Sequence, residues 1–255
     1  MPYVNLTRAG RVHYAERGER HPGRPSALLI HGAGASSAIW LMVLARVARA
    51  GHAVAIDLPG HGASALAGAA LDGSEGLTLG RYRDAVGELA AALCLGPSVL
   101  VGHSMGALVA IEAALAWPDK VRGLVLCAAA PRLGVDAELA RLLRDDPPAV
   151  LAWLADHALS PRAKPAIRRG FLAAGDITPP EVVRADFALV RDVDLTARLD
   201  ALACPVTWLD GADDRIVPTT AARTGEIVAL PDVGHLVPIE APAAVADAVR
   251  SALTF

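Results

Sequence analysis

Cysteine is scarce in this chain. Cys94, Cys127 and Cys204 are its 3 cysteines, set far apart within apolar stretches. No pair has the spacing of a metal site or a disulfide framework, so they are expected as buried, reduced thiols of a cytoplasmic protein that binds no metal. Net charge is small too: 24 Lys and Arg against 27 Asp and Glu leave −3. That balance excludes the electrostatic footprint of a nucleic-acid binder or of a protein drawn to an anionic membrane. Apolar runs are broken by Gly, Pro or a charge before they could span a bilayer. Met1-Pro2-Tyr3-Val4-Asn5-Leu6-Thr7 carries no signal-peptide pattern. No internal repeat or low-complexity linker is visible. What is abundant is apolar surface: 53% of the 255 residues are hydrophobic, enough for one domain with helices on both faces of a sheet.

The pattern along the chain alternates strand and helix. Residues 3–6 and 11–16 read as an antiparallel hairpin. Residues 26–30 form a continuous apolar run suited to a buried parallel strand. A helix is expected over 38–50, stopped by Gly51, then a strand at 52–56. A Gly/Ala/Ser loop runs to about Thr78. Helix 81–93, strand 97–101, helix 107–115 and strand 121–127 follow. From 131 to 200 the segments are helical and broken by prolines, with no strand. Strands return at 205–209 and 226–230, and a helix closes the pattern at 243–252. Such alternation implies right-handed crossovers. The expected fold is α/β, a mostly parallel doubly wound sheet of about eight strands with helices on both faces. Residues 1–130 and 201–255 would form its core. Residues 131–200 would form a helical cap inserted after the sixth strand, above the carboxyl ends of the strands, where ligands bind in such sheets.

One pentapeptide carries the chemistry. Gly102-His103-Ser104-Met105-Gly106 joins an apolar strand to a helix. A serine between two glycines at that junction fits a turn so tight that a Cβ at either flank would clash, with the hydroxyl left projecting. A serine hydroxyl needs a base, and the base needs an orienting acid. Beyond Ser104 the only histidines are His157, in the helical insertion, and His235, in a Gly-containing loop after the last strand. A loop at a strand's carboxyl end can bring an imidazole beside the serine, so His235 is the base. The acid should follow another strand, and residues 210–218 offer Asp210, Asp213 and Asp214. The turn after strand 121–127, Ala128-Ala129-Ala130-Pro131, offers none. Asp232 reads as turn chemistry.

Five segments together resemble the α/β-hydrolase superfamily, over essentially the whole chain: Leu29-Ile30-His31-Gly32-Ala33-Gly34, Asp57-Leu58-Pro59-Gly60-His61-Gly62-Ala63-Ser64, the pentapeptide around Ser104, Gly211-Ala212-Asp213-Asp214-Arg215-Ile216-Val217-Pro218, and Pro231-Asp232-Val233-Gly234-His235. The resemblance implies Asp214 as the acid, the last residue of a Gly-x-x-Asp turn before Val-Pro. It implies an oxyanion hole built from the backbone N–H groups of Met105 and Ala33. His31 would brace that loop. A cofactor-free serine hydrolase acting on a carboxylic ester of a small, largely apolar acyl compound is the implied activity. Its partner would be that small molecule, with no nucleic acid or membrane involved and the oligomeric state left open. Serine at the elbow argues against the aspartate-dependent haloalkane dehalogenases and epoxide hydrolases. Enol-lactonases, carbon–carbon bond hydrolases, thioesterases and perhydrolases share the triad. Methyl esterases of carrier-protein-bound acyl chains differ at the position of His103. Some small-molecule receptors keep the fold and triad without turnover.

Other residues invite roles but read more simply. Asp57 is turn chemistry at a strand end. Trp40, Trp153, Phe171 and Trp208 suit core packing as well as a pocket. Arg162, Lys164, Arg168 and Arg169 form a basic stretch whose field Asp145, Asp146, Asp156 and Asp176 cancel.

Overall fold

The computed structural model describes residues 2–64, 76–174, 178–217 and 223–254. Among them, eight strands form one sheet. The strands are β1 (Tyr3–Leu6), β2 (Gly10–Arg17), β3 (Ala27–Ile30), β4 (Ala53–Ile56), β5 (Ser98–His103), β6 (Val121–Cys127), β7 (Val206–Gly211) and β8 (Glu226–Leu230). Their spatial order is β1-β2-β4-β3-β5-β6-β7-β8. The first two strands form the antiparallel hairpin, β2 joins β4 antiparallel, and β3 through β8 run parallel.

Every residue of β3, β4 and β5 is buried. Alternate side chains supply two cores, as period-two pleating requires. Leu28, Ile30, Val54, Ile56 and Leu100 face one layer, against Tyr82 and Leu89 of α2 (Leu79–Ala92) and Leu108 and Ile111 of α3 (Met105–Ala116). Leu29, Ala53, Ala55, Val99 and Val101 face the other, against Val43 and Leu44 of α1 (Leu41–Val47) and Val245 and Val249 of the C-terminal helix at Pro242–Ala252. Thr78 starts α2 by accepting from the Arg81 N–H at 3.1 Å.

Between β6 and β7 the described residues form α4 (Ala137–Asp145), α5 (Ala149–His157), α6 (Pro165–Ala174) and α7 (Pro180–Asp192). Asp136 caps α4 through the N–H of Glu138 at 2.8 Å, and Pro180 opens α7 at a position where its missing N–H costs nothing. Leu139, Leu142, Leu143 and Val150 form a small core of their own. The chain re-enters the sheet at β7. After β8 come α8 (Val237–Glu240), a single turn that periodicity cannot reveal, and α9 (Pro242–Ala252). No helix among the described residues is long and apolar enough to cross a membrane.

One expectation fails. Cys94 is exposed, not buried, whereas Cys127 is buried and Cys204 half-buried. Cys94 follows the end of α2 with φ 51°, and that left-handed turn carries it to the surface. Residues 65–75 of the stretch before Thr78, Asp176, and residues 218–222, Pro218 among them, lie outside the described residues.

Candidate active site

The carboxyl ends of β3, β5, β7 and β8 each feed a loop into one region. Ser104 follows β5 with φ 52° and ψ −120°, a conformation that strains an L-residue and that only a tight surround would hold. Both glycines are required by space. A Cβ on Gly102 would stand 2.5 Å from the Ala107 Cα, and one on Gly106 would stand 2.3 Å from the Ile30 carbonyl oxygen. The second contact is with β3, so the elbow helix is pressed onto the strand that leads to the Ala33 loop.

The residues expected as base and acid meet. His235 Nδ1–H donates to Asp214 Oδ2 at 2.9 Å, with side chains only 7% and 2% exposed. Asp214 Oδ1 accepts the N–H groups of Ile216 (2.8 Å) and Val217 (3.0 Å). Burial pushes this carboxyl up, but the His235 ring and the two amides outweigh it and hold the group below the ordinary carboxylate range. Asp213 points elsewhere and accepts from Ser160 Oγ at 2.6 Å. Asp210 is salt-bridged to Arg223 within β7's surroundings. Asp232 has φ 61° in its turn and pairs with Arg162. His157 donates to the Trp153 carbonyl and stacks on that indole.

The backbone of the His235 loop is fixed from two sides. His103 Nε2–H donates to the His235 carbonyl at 2.9 Å, and the His235 N–H donates to the Ala158 carbonyl at 2.6 Å. His103 is buried, and burial together with the neighbouring His235 ring pushes its pKa down to about 3. It is therefore a neutral strut. Glu240 accepts from the N–H groups of Gly234 (3.1 Å) and Ser160 (2.9 Å), joining this loop to the segment after α5.

The loops expected to supply the oxyanion hole have their own frame. Met105 is the first residue of α3, so its N–H has no intrahelical acceptor. His31 donates to the Gly32 carbonyl at 2.8 Å and accepts from the Leu58 N–H at 3.0 Å. Burial, with the adjacent His61, lowers His31 to about 4. Asp186 of α7 reaches down to this loop. Its fully buried carboxylate accepts from the Gly34 N–H (2.9 Å), His61 Nε2–H (2.7 Å) and Tyr82 O–H (2.5 Å). Sequence reasoning does not find Asp186, because a lone acid in a mid-helix position reads as a solvated face. Asp57 is more than turn chemistry as well. Its carboxylate is buried and accepts from the N–H groups of Ser37 (2.6 Å) and Ala63 (2.9 Å) and from His13 (2.7 Å).

Ser104, His235, His103 and Ala33 line one cavity of about 740 Å3. Helices α5, α6 and α7 supply much of the remaining wall, including Phe171 and Phe187. Trp40 and Trp208 are instead fully buried core. On the outer surface Arg168 pairs with Asp156, so the basic stretch is partly neutralised as expected.

Comparison with known proteins bears on the fold and the family. The chain is 33% identical over 210 residues to a pimeloyl-[acyl-carrier protein] methyl ester esterase of Xanthomonas oryzae pv. oryzae, covering 76% of this chain and 78% of that protein. It is 32% identical over 231 residues to a putative carbamate hydrolase, RutD, of Variovorax paradoxus, covering 83% and 82%. The fold superposes on the crystal structure of an enol-lactonase from Burkholderia xenovorans LB400 with a TM-score of 0.83 at 23% identity, each chain being covered completely (100%). A family model described as the alpha/beta hydrolase family matches residues 27–248, and the chain, a hydrolase with esterases among its relatives, belongs to that family.

Proposed function

We propose that this protein hydrolyses a carboxylic ester of a small, largely apolar acyl compound through an acyl-enzyme on Ser104. The observation that carries the reading is that a serine in a strained strand-to-helix turn and a histidine paired with a buried carboxylate share the wall of one cavity. Ser104 Oγ adds to the ester carbonyl carbon while His235 Nε2 takes its proton. Asp214 keeps the ring in the tautomer that leaves Nε2 free, and stabilises the imidazolium. The amides of Ala33 and Met105 hold the developing oxyanion; losing one such donor typically costs about 3 kcal/mol of transition-state stabilisation. The carbon–oxygen bond to the alcohol breaks, and the alcohol leaves with the proton from His235. A water then gives a proton to His235 and adds to the acyl carbon, and the acid departs as Ser104 regains its proton.

Helices within 131–200 act in this reading as a lid over a small-molecule substrate. The free thiols suit a reducing, cytoplasmic setting. The test is p-nitrophenyl ester hydrolysis by the wild type and by Ser104→Ala. Loss of turnover in a folded variant supports the reading, and unchanged turnover refutes it.

A further inference from the structure

The cavity over Ser104 is notable for its charge. Its wall contains no Lys, Arg, Asp or Glu side chain among the described residues. The cap side is aliphatic and aromatic, with Leu143, Leu154, Phe171, Val183, Phe187 and Val190. The ionisable side chains in the wall are His103 and His235. The first is neutral and bonded to a carbonyl, and the second is turned to Asp214. Residues 65–75, 175–177 and 218–222, outside the described set, contain no Lys, Arg or His and add only acids, Asp72, Glu75 and Asp176. Arg223 is engaged with Asp210, Arg162 with Asp232, and Arg215 with the carbonyls of Asp156 and Leu159, while Arg132, Arg169 and Arg184 adjoin wall residues without lining the cavity themselves. Apolar wall continues to the mouth, where Leu41 and Met42 are 51% and 54% exposed.

We infer that the site accepts only substrates that are uncharged along the acyl arm, namely esters of neutral hydrocarbon acids of medium chain length, and rejects acyl chains that end in a carboxylate. This inference rests on the serine-hydrolase reading above and adds a selection rule to it. A carboxylate drawn into this wall would lose its water with no cation or donor cluster to replace it. A methyl group at the same place gains from burial, and each added buried methylene should raise kcat/KM by about threefold to fourfold until the cavity is full. At about 740 Å3 the space is that of a site which encloses a drug-sized ligand.

The experiment uses the wild-type protein and three methyl esters of one chain length at pH 8: methyl octanoate, monomethyl octanedioate and dimethyl octanedioate. The first and second differ at the far end by a methyl group against a carboxylate. The third masks that carboxylate. Methyl octanoate is expected to exceed the half-ester in kcat/KM by at least about 30-fold, with the diester recovering most of the loss. A smaller ratio overturns the selection rule and leaves the ester-hydrolase reading intact. A diester as slow as the half-ester also overturns it, because length or polarity rather than charge would then decide. Turnover of none of the three overturns the rule and the reading together.

Discussion

Asp214, and not its neighbour Asp213, holds the His235 ring: Nδ1 and Oδ2 are 2.9 Å apart, while Asp213 accepts from Ser160 Oγ. Adjacent residues of a turn project in different directions, so one residue of register decides which carboxylate orients the base. Asp214→Asn is expected to lower kcat roughly 1,000- to 10,000-fold, since an amide at that place favours the wrong tautomer. Asp213→Asn should stay within about threefold of the wild type. Steady-state kinetics of the two variants on one ester checks the assignment, and the opposite order would reassign the acid.

The elbow glycines should tolerate no side chain. Gly106→Ala places a methyl against the Ile30 and His31 carbonyls, at 2.3 and 2.4 Å, where backbone must shift. A stability loss of about 2–3 kcal/mol is expected, the upper range for overpacking, with activity falling further as the Met105 amide moves. Urea unfolding beside turnover measures both. A variant of wild-type stability would contradict the packing described.

Asp186 links α7 to the loop that holds Gly34. Asp186→Ala removes the acceptor from three donors, the fully buried His61 and Tyr82 side chains and the half-buried Gly34 N–H. A loss of about 3 kcal/mol or more follows from leaving them unsatisfied. Asp186→Asn keeps the shape but turns one N–H group toward a donor, so a smaller loss is expected. If Asp186 also positions Ala33, kcat falls in the Asn variant while KM changes little, a split that a purely structural role would not produce.

Two buried rings set a pH dependence of stability. In the folded chain His103 and His31 protonate only near about 3 and about 4, against an ordinary 6.5. Below pH 6.5 the unfolded chain binds protons that the folded one refuses. Their stabilising contribution is therefore complete above that pH and is lost as pH falls toward the folded values, by up to roughly 1.4 kcal/mol per pH unit for each ring. Urea titrations at pH 7, 6 and 5 should show this slope, and His103→Gln should remove one ring's share. Stability that does not fall over this range would show that the rings do protonate in the fold.

The elbow was legible because its requirements are local: two missing Cβ atoms and a strand-to-helix switch within five residues of sequence, Gly102 to Gly106. The sheet was legible because fully buried strands such as β3, β4 and β5 read as short apolar runs. Choosing among Asp210, Asp213 and Asp214 needed a family's register, since proximity in sequence says nothing about side-chain direction. Asp186 was out of reach for a different reason. Its partners lie 104, 125 and 152 residues away, and no periodicity records such a meeting. The cavity wall was equally hidden: Phe171 lines it, while Trp40 and Trp208, of similar character in sequence, are core.

The most direct measurement is active-site mapping with a fluorophosphonate. Wild-type protein treated with the probe should gain one adduct by intact mass, and peptide mapping should place it on Ser104. Ser104→Ala should remain unlabelled, and His235→Ala should label far more slowly. An adduct on a different residue, or equal labelling of Ser104→Ala, would contradict a nucleophile at this turn.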